Sequence, residues 1–157
     1  MAEMNKSLLY PLAGILFVGI IFISGCTTKS PVDGNAALEI KLILNIDKLE
    51  IYHFHGTHQC YSCITVGAYA EETVNTYFKD ELDKGVIVFD HINGELPENR
   101  ELVMKYGVTS ASLWLGTYSK NGSFSAEQNT NVWYKIEDKE AYMTYLKGVI
   151  EQKLAGN

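Results

Sequence analysis

The sequence predicts an α/β domain in which a central mixed sheet is flanked by helices. Segments with helical spacing alternate with short apolar strands, and such strand-helix-strand units have parallel strands joined by a crossover. Two further strands follow one another before the last helix, which fits an antiparallel hairpin on the same sheet. Cys60 and Cys63 stand where the first strand passes into a helix. This junction is the expected chemical centre of the domain.

The first half of the domain is expected to contain two helices and two strands in alternation. The spacing of apolar residues predicts a helix over 37–46, a strand over 49–54 and a long helix over 64–82. The run 86–89 is short and wholly apolar, which is typical of a strand that is buried on both faces.

The second half is expected to contain a helix, the strand pair and a closing helix. Pro97 suits the first turn of a helix, since its missing N–H would be unpaired there in any case, and Gly107 is expected to end this helix. The patterns over 112–118 and 132–136 predict the two strands of the hairpin. Asp138 is the expected N-cap of the last, amphipathic helix.

The N-terminal residues differ in kind from the rest of the chain. Residues 8–23 are almost all apolar, and this length suits the apolar region of a secretion signal better than a full membrane span. Residues 23–26 read Ile-Ser-Gly-Cys and resemble a lipobox, in which Cys26 would be lipidated; an uncleaved membrane anchor is the alternative. The expected organisation is a signal peptide or anchor over 1–26, a linker over 27–36 and a folded α/β domain over 37–157.

Either form of the N-terminal segment places the domain outside the cytoplasm, anchored to the cell membrane. A cysteine pair can be kept oxidised there, or be cycled by a redox partner in the envelope. The expected partners are therefore protein thiols or disulfides together with that redox partner. The net charge of -6 over 157 residues argues against binding to nucleic acid.

Cys60 is the expected nucleophile of the cysteine pair. The start of a helix has unpaired N–H groups and a positive partial charge, which favour a thiolate. Cys63 projects from the same face one turn later, so it can attack a mixed disulfide formed by Cys60. A single Cys-x-x-Cys also allows half of a metal site or a fixed structural disulfide.

The chain resembles the thioredoxin superfamily over about residues 37–154. Within that range, the segments 52–63, 109–113, 132–133 and 138–141 resemble a family of exported thioredoxin-like proteins. Members of this family are often labelled as a subunit of a nitrophenyl-compound nitroreductase, after an arsenic-operon name. The resemblance implies the thioredoxin fold and thiol-disulfide chemistry, without naming a substrate.

Two positions depart from the thioredoxin pattern. Ser112 stands where thioredoxins carry a cis-proline opposite the cysteines, and a cis bond before a non-proline residue costs about 2.5–4 kcal/mol. Phe54 stands where they carry a buried carboxylate, so another group must transfer the proton of the resolving thiol. Since substrate thiols normally pair with the backbone beside that proline, we expect an altered substrate contact. The expected contact residues are Tyr61, Ser62, Ala111 and Ser112.

Histidines are the expected replacements for the missing carboxylate, because imidazole titrates near neutral pH. His58 is the expected catalytic histidine, since it lies two residues before Cys60 and should be more exposed than His55. His53 is explained more simply as an exposed histidine without a role. His91 follows on the next strand.

The redox function is expected to need no cofactor. The main alternative is a module that binds or handles copper or zinc, since thiolate and imidazole ligands suit both metals. Its ligands would be Cys60, Cys63, His55 and His58.

Overall fold

The structure is a computed structural model that describes residues 46–156. The predicted signal or anchor, the linker and most of the predicted helix over 37–46 lie outside the described residues. In chain order the elements are β1 (Ile46–His55), α1 (Tyr61–Tyr77), α2 (Lys79–Asp83), β2 (Ile87–Asn93), a 3-10 helix (Pro97–Asn99), α3 (Arg100–Tyr106), β3 (Ser112–Ser119), β4 (Phe124–Asn129), a second 3-10 helix (Asn131–Lys135) and α4 (Lys139–Leu154).

The four strands form one mixed sheet in the order β2-β1-β3-β4. Strands β1 and β2 are parallel, and β3 is antiparallel to both of its neighbours, β1 and β4. Helix α1 makes the crossover from β1 to β2, and the β3-β4 hairpin precedes the last helix. This confirms the predicted fold class, a mixed sheet flanked by helices, with the strand order and directions of the thioredoxin fold.

Side chains alternate along β1 between two cores on opposite faces of the sheet. Leu49 and Ile51 belong to the larger core, which lies between the sheet and helices α1 and α4. Phe54 belongs to the smaller core on the other face, where Tyr106 of α3 and Ile92 of β2 pack against it. The strand that leads to the cysteines is therefore held from both sides.

The predicted strand over 132–136 is wrong. Residues Asn131–Lys135 form a 3-10 helix, and the fourth strand is Phe124–Asn129, directly after a turn at Gly122. This strand lies at the edge of the sheet and exposes polar side chains, so its apolar pattern is weak. Val132 is buried in the larger core without pairing to a strand.

Three further predictions are wrong in part. Ile46, assigned to the predicted helix over 37–46, begins β1. The predicted helix over 64–82 begins earlier, at Tyr61, and is interrupted at Phe78, whose φ of -132° leaves the helical region. The run 86–89 is not buried on both faces, because β2 is an edge strand in which only Ile87 of that run is buried.

The predicted helix ends in the second half are confirmed. Pro97 opens a 3-10 turn that leads into α3, and Gly107 ends α3 in the left-handed conformation with φ of 70°. Asp138 caps α4, since its Oδ1 accepts a hydrogen bond from the Ala141 N–H at 3.0 Å.

Candidate thiol site

Cys60 is the N-cap residue of α1, at the end of the loop that follows β1. Its backbone is extended, with φ of -78° and ψ of 166°, and its Sγ accepts a hydrogen bond from the Cys63 N–H at 3.4 Å. An N-cap side chain normally supplies an oxygen to the free N–H groups of the first turn. Here a sulfur occupies that position, which favours its thiolate form.

The two thiols differ in exposure and in acidity. Both are free, and their Sγ atoms are 2.9 Å apart. Cys60 is exposed, and hydrogen bonds from the Cys63 thiol and the Cys63 N–H lower its pKa below the ordinary value. Cys63 is half-buried, and this burial, followed by the hydrogen bond with Cys60, raises its pKa. Cys60 is thus the more reactive thiol, and Cys63 is the protected one.

The surface beside Cys60 is apolar. Tyr61 is 73% exposed and Ile64 is 55% exposed. Ser62 lies between them and is half-buried. Large exposed apolar side chains next to a reactive thiol suit contact with another protein. The contact role of Tyr61 and Ser62 stays a prediction.

Ser112 is the first residue of β3, where it is buried opposite Phe54 of β1. Its Oγ donates a hydrogen bond to the Ser110 carbonyl and accepts one from Trp114 Nε1, both at 2.8 Å. The only proton of the Ser112 hydroxyl is therefore used within the protein. Any substrate contact at this residue falls to its backbone.

A cavity of about 230 Å³ opens beside the loop that leads to Cys60. The predicted contact residue Ala111 and the acidic residue Glu95 both line it. Glu95 Oε2 accepts a hydrogen bond from the Thr57 N–H at 3.0 Å. Hydrogen bonding by the Thr57 side chain, followed by that of its N–H, lowers the pKa of the Glu95 carboxyl. The remaining lining residues are Phe54, His55, Gly56, Gly94, Val103, Val108, Thr109 and Ser110.

His58 is exposed in the same loop. The groups that lower the pKa of Cys60 are the Cys63 side chain, followed by backbone N–H groups within residues 60–63. His58 acts electrostatically on Glu95, whose pKa it helps to lower. Its catalytic role stays a prediction.

His53, His55 and His91 lie together, and two of them pack against α1, the helix that contains Cys63. His53 is buried, with 1% of its surface exposed, so the expectation of an exposed histidine is wrong. Its ring stacks on that of His55 with centroids 5.5 Å apart, and the ring of His91 stands at 5.2 Å. His53 Nδ1 and His91 Nδ1 are 3.0 Å apart, and His91 Nε2 contacts Glu71 Oε2 at 3.4 Å.

The His53 imidazole is held neutral at pH 7. Burial, followed by the nearby rings of His91 and His55, lowers the pKa of His53 to about 4. Its Nε2 atom is buried and has no hydrogen-bond partner. His53 and His55 lie two residues apart and therefore on one face of β1. Only the parallel register of β1 and β2 brings His91 opposite His53.

Within residues 46–156, no group of three or more His, Cys, Asp or Glu side chains is placed to hold a metal ion. The alternative ligands Cys60, Cys63, His55 and His58 are not assembled as such a group there. None of the helices in this part of the chain is long and apolar enough to cross a membrane. Cys26 and the predicted anchor lie outside it.

Comparison with known proteins gives a structural likeness only. No protein-family model and no curated protein matches the sequence. Among solved structures, the chain is similar to the zinc-bound form of human ERp44, with 15% sequence identity and a TM-score of 0.43. The alignment covers 74% of this chain and 30% of that chain, so it spans less than a third of the human protein.

Proposed function

We propose that the protein is a thiol-disulfide oxidoreductase that acts on protein cysteines through Cys60 and Cys63. The observation that carries the proposal is the asymmetry of the pair. An exposed thiol whose pKa is lowered lies 2.9 Å from a half-buried thiol whose pKa is raised. The apolar surface at Tyr61 and Ile64 supports a protein as the substrate.

The reaction is a two-electron exchange in two steps. The Cys60 thiolate attacks a substrate disulfide, which forms a mixed disulfide and releases one substrate thiolate. Cys63 then loses its proton and attacks Cys60 Sγ, which forms the Cys60–Cys63 disulfide and releases the second substrate thiolate. The substrate disulfide is reduced and the two cysteines are oxidised; the reverse sequence oxidises a substrate dithiol. The direction depends on the redox partner.

The proposal includes a tether outside the cytoplasm. It is supported by the apolar run over 8–23, by the lipobox-like residues that end at Cys26, and by the resemblance to exported thioredoxin-like proteins. If Cys26 carries a lipid, a fatty acid should label the wild-type protein but not Cys26→Ser. Metabolic labelling with a fatty acid distinguishes this from an uncleaved anchor, which would stay unlabelled and in the membrane in both forms.

Trapping of the mixed disulfide tests the exchange. The full chain in detergent, with Cys26→Ser so that only two of its three cysteines remain, is incubated with an oxidised protein extract. We expect Cys63→Ser to accumulate reducible covalent adducts through Cys60. The matched Cys60→Ser variant should form almost none, because Cys63 is shielded.

A turnover assay completes this test. The cysteine pair should accelerate the reduction of insulin by dithiothreitol, and Cys60→Ser should abolish the acceleration. Equal adduct yields from both single variants, together with no insulin reduction by the intact pair, would contradict the proposal.

A further inference from the structure

One face of α1 lies against the histidines at Gly67 and Glu71. Cys63, Gly67 and Glu71 are spaced four residues apart, so they lie on the same helix face, one turn after another. A Cβ atom on Gly67 would lie 2.7 Å from His53 Cε1 and 2.9 Å from His91 Cε1, and Glu71 contacts His91. The absence of a side chain at Gly67 lets both imidazoles approach the helix.

Cys63 lies one turn before Gly67 on this face. Since α1 runs antiparallel to β1 in a strand-helix-strand unit, this turn places Cys63 about 6 Å closer to the carboxyl end of β1. The resolving thiol therefore lies at one end of the histidine cluster, and Glu71, exposed at the surface, lies at the other.

The contacts assign the proton positions on the two histidines. The Glu71 carboxylate only accepts hydrogen bonds, so His91 Nε2 carries the proton that faces it. The neutral His91 ring then has a lone pair on Nδ1, which accepts the proton of His53 Nδ1 across 3.0 Å. His53 Nε2 is left with a lone pair. It is a buried base with no hydrogen-bond partner.

An unpaired polar atom is rare in a protein interior. Here it belongs to a residue in contact with the helix that presents Cys63. We propose that Glu71, His91 and His53 form a proton relay for Cys63, and this inference rests on the thiol-disulfide exchange proposed above.

The relay has a defined sequence of proton transfers. When Cys63 attacks the mixed disulfide, its proton passes to His53 Nε2, while the proton on His53 Nδ1 passes to His91 Nδ1. The positive charge then rests on His91, beside the Glu71 carboxylate and close to solvent. The low pKa of His53 is consistent with this, because a proton does not remain on the buried ring. In the reverse reaction the protons return to Cys63.

The titratable groups around the relay lie on four elements. The backbone N–H of His91 donates to Asp90 Oδ1 at 2.7 Å, and Tyr142 donates to the Val66 carbonyl at 2.7 Å beneath α1. His55 donates from Nδ1 to the Gly56 carbonyl at 2.9 Å, which leaves its Nε2 unprotonated in the neutral ring. The groups are His53 and His55 on β1, Asp90 and His91 on β2, Cys63 and Glu71 on α1, and Tyr142 on α4.

A two-step thiol reagent separates the relay from the rest of the reaction. With dithiobis-nitrobenzoate, attack by Cys60 releases one coloured thiolate and attack by Cys63 releases the second, and stopped-flow absorbance follows both from pH 5 to 9. In the full chain carrying Cys26→Ser, His53→Gln should slow the second release about ten-fold or more at pH 7. The first release should change by less than about two-fold.

Two other variants disturb the relay without removing His53. Gly67→Ala should slow the second release because it displaces both rings, and Glu71→Gln should slow it about two- to five-fold and shift its pH profile. Thr73→Val is the matched control, since Thr73 is buried on the same helix and its hydroxyl bonds only to the Tyr69 carbonyl. It should leave both releases unchanged.

The result that would overturn the relay is a second release with wild-type rate and pH profile in His53→Gln. If His53→Gln does not fold, the same result in folded Gly67→Ala and Glu71→Gln overturns it. If the unsubstituted pair releases no coloured thiolate, or only one, the exchange itself fails and the relay with it. A slow second step with an altered pH profile and an intact first step, in His53→Gln and Glu71→Gln but not in Thr73→Val, supports the relay.

Discussion

The two faces of β1 each bury an ionisable side chain, and the two are treated in opposite ways. On the face under α3, Glu50 is 6% exposed, and its Oε2 accepts hydrogen bonds from Tyr106 at 2.8 Å and from Tyr118 at 2.9 Å. Its Oε1 accepts one from Lys48 at 2.7 Å. On the face under α1, His53 has one partner and one buried nitrogen without any.

Glu50 has hydrogen-bond partners for both carboxylate oxygens, as expected of a structural group, whereas the unpaired nitrogen of His53 fits a functional one. Burial alone would raise the pKa of Glu50, but hydrogen bonds from Lys48, Tyr106 and Tyr118 lower it overall. Its charge is thus compensated within the fold. His53 is left uncompensated next to the helix that carries both reactive thiols. A buried base kept at that place is suited to accepting a proton.

Removal of Glu50 should give the largest effect on stability. Glu50→Ala leaves the buried hydroxyl of Tyr106, the half-buried hydroxyl of Tyr118 and the Lys48 ammonium without their acceptor, so we expect the free energy of unfolding to fall by about 3–5 kcal/mol. Urea denaturation at pH 7 measures this. Glu127→Ala, which removes an exposed partner of Lys153, is the control and should cost less than about 1 kcal/mol. Thiol exchange should be unaffected in both variants. A loss of exchange activity in folded Glu50→Ala would contradict the assignment of Glu50 as a purely structural group.

His53 should appear in the pH dependence of stability. Its pKa is about 4 in the folded protein and 6.5 ordinarily, so below pH 6.5 the unfolded chain binds a proton that the folded protein excludes. Stability should therefore fall as the pH drops from 6.5 to 4, by roughly 3 kcal/mol for this group. Urea titrations of wild type and His53→Gln across this range isolate the contribution. Parallel curves for the two proteins would show that His53 does not titrate as described.

Gly67→Ala should destabilise the protein by about 1–3 kcal/mol, because the added methyl group collides with the rings of His53 and His91. Thermal unfolding followed by circular dichroism measures the loss. An unchanged transition would mean that the imidazoles are not packed against α1.

The same substitution on the other helix of this face should have the opposite sign. Gly148 lies in α4, and nothing stands within 4 Å of a Cβ atom placed there. Gly148→Ala should stabilise the protein by about 0.5–1 kcal/mol, since alanine loses less conformational freedom in a helix. The two glycine variants, compared in one set of melts, distinguish a glycine required by packing from one that is not.

The sequence predicted the elements that have a strong apolar period and the chemistry of the cysteine pair. The predicted fourth strand at 132–136 was wrong because the real one, Phe124–Asn129, has mostly polar, exposed side chains. It lies at the edge of the sheet and pairs only with β3 among the described strands, so its sequence has little apolar pattern. The sequence also indicated histidines near the cysteine pair, but His53, expected to be exposed, is buried. Whether a strand residue faces a helix or solvent depends on register and packing, which become visible only in the assembled sheet.

The asymmetry of the two thiols is tested most directly by the pH dependence of their alkylation. The reduced chain carrying Cys26→Ser is treated briefly with iodoacetamide from pH 4 to 10, and the modified positions are assigned by mass spectrometry. We predict that Cys60 is alkylated first, with an apparent pKa below its ordinary value, and that Cys63 reacts only at higher pH. Equal rates at both cysteines, or a faster reaction at Cys63, would contradict the assignment of Cys60 as the nucleophile.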